Sequence, residues 1–304
     1  MARIDRFELY ATDLPFRKPF KHAAAERRSS SSLIVRCDVG GGATGWGECL
    51  PREYVTGETR DGAFEMLRDR ILPRLVGREF GSLAEVEAFL GECDGKAPAD
   101  VVLADEPQTA AWCAVDLSLL DAFGRVFGEP VRLEGGGAFP AAVRYSPVIS
   151  TDAGVKTLLK IRLAGIRQVK LKVEADGSFE AARRARRWLG RGCDIRADAN
   201  MAWEVEEALA AMRDLARVGI HSYEQPIPAD DLDGLARLVR ESGQDVMADE
   251  SLGDRESLQR LIDRKACTAV NVRISKCGGL MAARARCREA LDAGLKVQVG
   301  CQVG

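Results

Sequence analysis

The chain has 304 residues, 46% of them hydrophobic and 30% charged, with a formal net charge of −2. This is the balance of an ordinary soluble globular protein, long enough for one large domain or two smaller ones. No surplus of positive charge argues for nucleic acid or an anionic membrane, and no apolar run approaches the roughly 20 residues of a spanning helix.

In chain order, residues 4–12 read as a strand, followed by Leu14-Pro15-Phe16. Residues 32–39 and 44–48 are β-rich runs joined by Gly40-Gly41-Gly42, the pattern of a hairpin. Residues 17–28 and 50–56 read as loops. Helical spacing then appears over 63–75, with Phe64, Leu67, Ile71 and Leu75 on one stripe, and over 110–126, with Trp112, Val115, Leu119, Leu120 and Phe123 on another. Strands followed by helices predict an N-terminal α+β capping domain over residues 1–135.

From residue 136 the pattern changes. Strand-like runs at 143–149, 168–173, 194–198, 222–224, 245–249, 269–274 and 296–299 alternate with helical ones, such as 204–218 with Val205, Leu209, Met212 and Leu215. Repeated strand–helix units predict a parallel sheet, either doubly wound or a (β/α) barrel of the TIM type. No G-x-G-x-x-G follows a strand and no Walker A sequence is present, which weakens the nucleotide-binding alternative. Arg183, Arg184, Arg186 and Arg187 read as a solvated helix face.

Nine cysteines, an odd number with no C-x-x-C pair, fit reduced thiols better than a disulfide framework or a zinc site. The opening residues lack the apolar run of a signal peptide, so a cytoplasmic location is expected. Only His22 and His221 are available for histidine chemistry, which excludes a His-rich zinc site. His221 abuts a strand and reads as a packed structural residue.

The strand ends decide in favour of the barrel, where catalytic groups sit at the C-terminal ends of successive strands. Lys172, Asp198, Glu224 and Asp249 close one strand after another, and Lys276 follows the sixth. In Val169-Lys170-Leu171-Lys172-Val173 the period of two turns both lysines inward. Two desolvated ammonium groups one pleat apart would both favour the neutral amine, a competent general base. The plainer alternative is a pair of surface lysines. Asp198, Glu224 and Asp249 are spaced 26 and 25 residues apart, one strand–helix unit each. Each could be a helix N-cap. Together at one mouth, their repulsion is relieved by a hard divalent cation, Mg²⁺ or Mn²⁺.

These residues resemble the muconate-lactonizing branch of the enolase superfamily, within the mandelate racemase/muconate lactonizing enzyme family. The resemblance is carried by Lys170-x-Lys172, Asp198-Ala199-Asn200, Tyr223-Glu224-Gln225-Pro226, Ala248-Asp249-Glu250-Ser251 and Ser275-Lys276-Cys277-Gly278-Gly279. In the cap it includes Gly45-Trp46-Gly47-Glu48 and Ala114-Val115-Asp116-Leu117. The resemblance implies an enzyme that removes the proton α to a carboxylate through an enediolate. Asp198, Glu224 and Asp249 would bind Mg²⁺, Lys172 would serve one face of the α-carbon and Lys276 the other, and Lys170 would tune Lys172. The pairing of a lysine base with Mg²⁺ in this superfamily is itself a known pattern. Asn200 and Glu250 are expected beside the ligands.

A mandelate-racemase-type His–Asp pair is excluded, because no histidine follows His221. Parity does not place Lys276, which must lie just past its strand. Substrate contacts are expected from the cap, at Phe20, His22, Arg27, Tyr54 and Thr56. The Arg27-Arg28 pair either grips a second carboxylate or is plain loop charge. The implied partner is a small carboxylate, and a homo-oligomer is expected. The implied reactions are muconate cycloisomerisation, racemisation of N-acyl amino acids, epimerisation of dipeptides, or o-succinylbenzoate synthesis. The last strand-like run is the seventh, so the family's eighth strand is expected beyond residue 304. The alternative is a truncated, inactive homologue that binds metal or ligand or only assembles.

Overall fold

The computed structural model describes residues 1–304 apart from 23–24, 104, 132–142, 177 and 303–304, and for 17–22 and 25–27 it describes the backbone only. The N-terminal region is an antiparallel sheet in the order β3-β2-β1-β4, made of β1 (Ala2–His22), β2 (Ala25–Val39), β3 (Ala43–Cys49) and the short β4 (Glu79–Phe80). Residues 17–22 and 25–28, expected as loop, instead extend the β1–β2 ladder, with Phe20 opposite Arg27. The backbone groups of that segment pair with each other, which a polar, unpatterned side-chain sequence does not announce.

Helices α1 (Glu53–Thr56), α2 (Arg60–Met66), α3 (Leu72–Leu75), α4 (Leu83–Cys93) and α5 (Thr109–Phe127) follow, with a π turn at Leu67–Ile71 joining α2 to α3. Alternation puts Leu33, Val35, Cys37 and Val39 of β2 on the buried face, against α5. Gly45 and Gly47 let the α5 backbone lie directly on β3. A Cβ at Gly47 would stand 1.9 Å from the Ala114 carbonyl oxygen, and one at Gly45 2.1 Å from the Ala122 nitrogen.

The second region is a parallel sheet of seven strands among the described residues: β5 (Val148–Ile149), β6 (Gln168–Lys172), β7 (Asp194–Asp198), β8 (Ser222–Glu224), β9 (Asp245–Ala248), β10 (Ala269–Arg273) and β11 (Lys296–Gly300). Their spatial order is their chain order, and α6 (Val155–Leu163), α7 (Phe179–Leu189), α8 (Val205–Ala216), α9 (Leu232–Ser242), α10 (Arg255–Asp263) and α11 (Leu280–Asp292) fill the intervals. A doubly wound sheet would reverse direction at a switch point, and this one does not.

The sheet is also curled. Arg196 of β7 hydrogen-bonds Gln298 of β11, four strands away. In a flat sheet that is about 19 Å, beyond the reach of the two side chains. Strand residues Val169, Leu171, Ile195, Val246 and Val270 pack outward against the helices, so the concave face is left to the polar residues of opposite parity. Arg183 and Arg187 are exposed, as expected for a solvated face, but Arg186 donates to the carbonyls of Val218 and Gly219 and so fastens α7 to the next turn. No helix among the described residues is long and apolar enough to cross a membrane.

Candidate active site

Lys170 and Lys172 do point to the concave side, where the β6–β7–β8 register sets Lys172 opposite Asp198 and Asp198 opposite Glu224. The Lys170 Nζ lies 2.7 Å from both Asp198 Oδ2 and Glu224 Oε1. The Lys172 Nζ lies 2.6 Å from Asp198 Oδ2 and donates to Asn200 Oδ1. Asp249 follows directly after β9 and is held from the other side. Lys276 Nζ is 2.9 Å from its Oδ1, and Arg273 donates to its Oδ2. The lysines thus flank the row of carboxylates from its two ends.

The expectation for Lys170 needs correction. Burial does depress its pKa, but Asp198 and then Glu224 outweigh it, and the net shift is upward. Glu224 shows the reciprocal effect. Its burial favours the neutral acid, yet Lys170 and Arg196, followed by Arg273, hold it down to about 2. Lys276 behaves differently. It is 2% exposed, not a solvent-facing loop residue, and burial followed by the Arg273 charge lowers it to about 7. Asp249 supplies one negative charge to both cations.

Lys276 sits in a hydrogen-bonded turn after β10, where Cys277 N donates to Arg273 O at 3.0 Å and Gly279 N to Ile274 O at 2.9 Å. The turn breaks the alternation of the strand, so parity could not have placed it. Asn200 also meets Glu250, with Nδ2 3.1 Å from Oε1. Burial, with the Asp198 charge second, raises the Glu250 pKa.

Sequence reasoning gave no role to Arg196, Gln225 and Asn271. Arg196 Nε stands 2.9 Å from Glu224 Oε2, and Asn271 Nδ2 donates to Glu224 Oε1 at 2.9 Å. Gln225 accepts from the Asp249 and Ser251 backbone N–H groups at 2.9 and 3.1 Å and donates to Ser251 Oγ at 2.8 Å, tying the end of β8 to the Asp249 turn. A signal existed for Arg196, which shares parity with Asp198 in β7. Tyr54 lines a separate cavity of about 320 Å³ bounded wholly by N-terminal residues, Arg52 and Glu58 among them. Thr56 accepts from the Arg52 backbone N–H at 3.4 Å. The side chains of Phe20, His22 and Arg27 lie outside the described residues. His221 is exposed, immediately before β8, instead of packed.

Three carboxylates at adjacent strand ends form an all-oxygen donor set suited to a hard divalent cation. Among the described residues, however, no three acidic, His or Cys side chains stand close enough together to hold a metal. Ammonium and guanidinium groups neutralise them one by one. The Lys170 ammonium between Asp198 and Glu224 stands in for a cation at that point, so the donor chemistry fits Mg²⁺ provided these side chains move apart from their present partners.

Residues 7–133 match the mandelate racemase/muconate lactonizing enzyme N-terminal domain, and residues 155–304 match the enolase C-terminal domain-like family. The N-succinyl-L-Arg/Lys racemase of Bacillus cereus is 27% identical over 307 residues, covering 99% of this chain and 80% of the racemase. Its crystal structure superposes with a TM-score of 0.86 at 25% identity, covering 99% of this chain and 80% of that one. The L-Ala-D/L-Glu epimerase of Bacillus subtilis is 28% identical over 99% of this chain and 81% of its own length. The dipeptide epimerase of Methylococcus capsulatus, solved with Mg and the dipeptide L-Arg-D-Lys, superposes with a TM-score of 0.84 at 28% identity over 99% of this chain and 83% of that one. The cap and the curled parallel sheet are thus shared over nearly the whole chain, which belongs to the mandelate racemase/muconate lactonizing enzyme family of enolase-superfamily enzymes.

Proposed function

We propose that this protein is a Mg²⁺-dependent racemase or epimerase that moves the α-proton of an N-acyl amino acid or a dipeptide. The observation that carries the reading is the opposed pair of lysines, Lys172 beside Asp198 and Lys276 beside Asp249, at the two ends of one row of carboxylates. Asp198, Glu224 and Asp249 would hold the metal. Bound there, Mg²⁺ would supply positive charge to the substrate carboxylate, where charge grows as the α-proton leaves.

The chain's own residues do the proton chemistry. Lys172 takes or returns the proton on one face and Lys276 on the other, so inversion follows when removal and return use different lysines. Lys276, at about 7, is poised to do either near neutral pH. Lys170, kept protonated by Asp198 and Glu224, offers fixed positive charge to the developing enediolate. The named activities of the Bacillus cereus and Bacillus subtilis relatives, a racemase of N-succinyl amino acids and an epimerase of a dipeptide, support the substrate class.

The test is α-proton exchange in D₂O with N-succinyl amino acids and dipeptides, followed by mass spectrometry. Exchange is expected to need Mg²⁺, to stop with EDTA, and to fall about 10²- to 10⁴-fold in Lys172→Ala and Lys276→Ala. Exchange that survives both substitutions, or that ignores the metal, would rule the mechanism out.

A further inference from the structure

We propose that Asp116, on helix α5 of the N-terminal region, is a positioning residue for Lys276, acting by capping α11 and so fixing the turn that carries the lysine. The inference rests on the acid–base reading of Lys276 given above.

Helix α11 begins at Leu280, four residues after Lys276. It has no capping side chain of its own, because Gly279 occupies the N-cap and no acidic residue lies in its first turn. Its free N–H groups would be left unsatisfied in a buried place. The missing acceptor comes from the other region of the molecule. Asp116 Oδ1 accepts from Leu280 N at 2.7 Å, and Asp116 is only 1% exposed.

The backbone on both sides is built for this approach. A Cβ at Gly279 would lie 2.4 Å from Asp116 Cγ, and Gly279 has a φ of +127°. A Cβ at Gly278 would lie 1.9 Å from the Gly95 carbonyl oxygen, and one at Gly95 2.1 Å from the Cys277 carbonyl oxygen. Gly278 and Gly279, two and three residues after Lys276, are thus pressed against the 94–95 turn and α5, with no room for a side chain at either. A second fastening holds the body of the helix, where the fully buried Arg286 donates to Asp94 at 2.7 Å.

The consequence is specific to one lysine. Lys172 is carried by β6 and owes nothing to this clamp. Lys276 is carried by the clamped turn, and its Nζ reaches Asp249 O, Asp249 Oδ1 and Asn271 O at 2.5, 2.9 and 3.1 Å only while the turn keeps its place. Loosening Asp116 therefore disturbs proton transfer on one face of the substrate and spares the other.

The experiment compares wild type, Asp116→Ala and Asp116→Asn, since asparagine keeps the accepting oxygen and alanine does not. Exchange into N-succinyl-L-arginine and N-succinyl-D-arginine is followed separately in D₂O, and Lys276→Ala identifies the enantiomer that depends on Lys276. In Asp116→Ala that enantiomer is expected to slow at least about ten-fold more than the other, with the ratio restored in Asp116→Asn. Equal slowing of both enantiomers, or failure of asparagine to restore the ratio, would overturn the proposal. Backbone amide exchange without substrate supplies a readout independent of catalysis. Peptides spanning 277–281 should exchange roughly five- to thirty-fold faster in Asp116→Ala, while those of β7 and β8 stay unchanged. If the wild type exchanges neither these enantiomers nor other N-succinyl amino acids nor dipeptides, the acid–base reading fails, and unaltered amides in Asp116→Ala would refute the clamp itself.

Discussion

The two sheets dispose of their charge in opposite ways. The antiparallel sheet turns it outward. Arg6, Glu8, Arg36 and Asp38 form a network of ion pairs on the solvent face, while Leu33, Val35, Cys37 and Val39 pack inward. The parallel sheet turns its apolar residues to the helices and its charge into its own concave face. There Arg196, Asp198, Glu224, Asp249 and Lys276 are all essentially out of water. A solvated charge has water as an alternative partner, but a desolvated one has only its neighbours. Removing one member of the first network should matter little, and removing one member of the second should expose every partner it had.

Glu224→Ala is the strongest way to test that difference. It leaves Lys170 and Arg196 facing a void, and breaking a buried pair from one side costs about 3–5 kcal/mol. Urea denaturation of the metal-free protein would measure the loss. A loss under about 1 kcal/mol would mean that water reaches these cations, and the contrast between the two faces would collapse.

Much of the concave face was legible in the chain because strand alternation is local. The parity of Lys170 and Lys172, and the repeat from Asp198 to Glu224 to Asp249, need only the period of a strand and the length of a βα unit. What stayed hidden depends on pairing across the sheet. Lys170 read as an amine driven neutral by its neighbour Lys172, whereas the register sets it between two carboxylates from other strands. Arg196 read as nothing in particular, because its partners Glu224 and Gln298 lie 28 and 102 residues away. Lys276 stood outside the alternation because it sits in the turn after β10. The extension of the β1–β2 ladder escaped notice for a related reason, since backbone pairing there has no hydrophobic pattern to betray it.

Asp116 lies between the two extremes and sharpens the comparison. It is desolvated like the concave residues but faces backbone N–H groups more than full positive charge. Burial raises its carboxyl to about 7, against the pull of the Leu280 and Met281 N–H groups and of Arg284. Below about pH 4 the group is protonated in folded and unfolded chains alike. Between about 4 and 7 the unfolded chain has lost a proton that the folded chain keeps, so this group makes stability decline as pH rises. The decline is at most about 1.4 kcal/mol per pH unit and is complete above about 7. Asp116→Asn cannot titrate, so the difference in stability between wild type and variant should change with that slope across this window. A difference independent of pH would mean that Asp116 is solvated after all.

The smallest effect is expected on the outer face of the antiparallel sheet. Arg6 Nε lies 2.7 Å from Asp38 Oδ2, as short as any ion pair inside the parallel sheet for which Lys170 is the donor. Its side chain is 59% exposed, however, and Asp38 keeps Arg36 and Thr44 as further donors at 3.0 and 2.7 Å. Arg6→Ala should move the melting temperature by no more than about two degrees, and by less at high salt, where the ionic part is screened. Calorimetry on this variant beside Glu224→Ala sets equal contact distances against unequal desolvation. If the two variants lost comparable stability, distance alone would govern these pairs. If only Glu224→Ala lost it, the absence of water is what makes the concave charges interdependent.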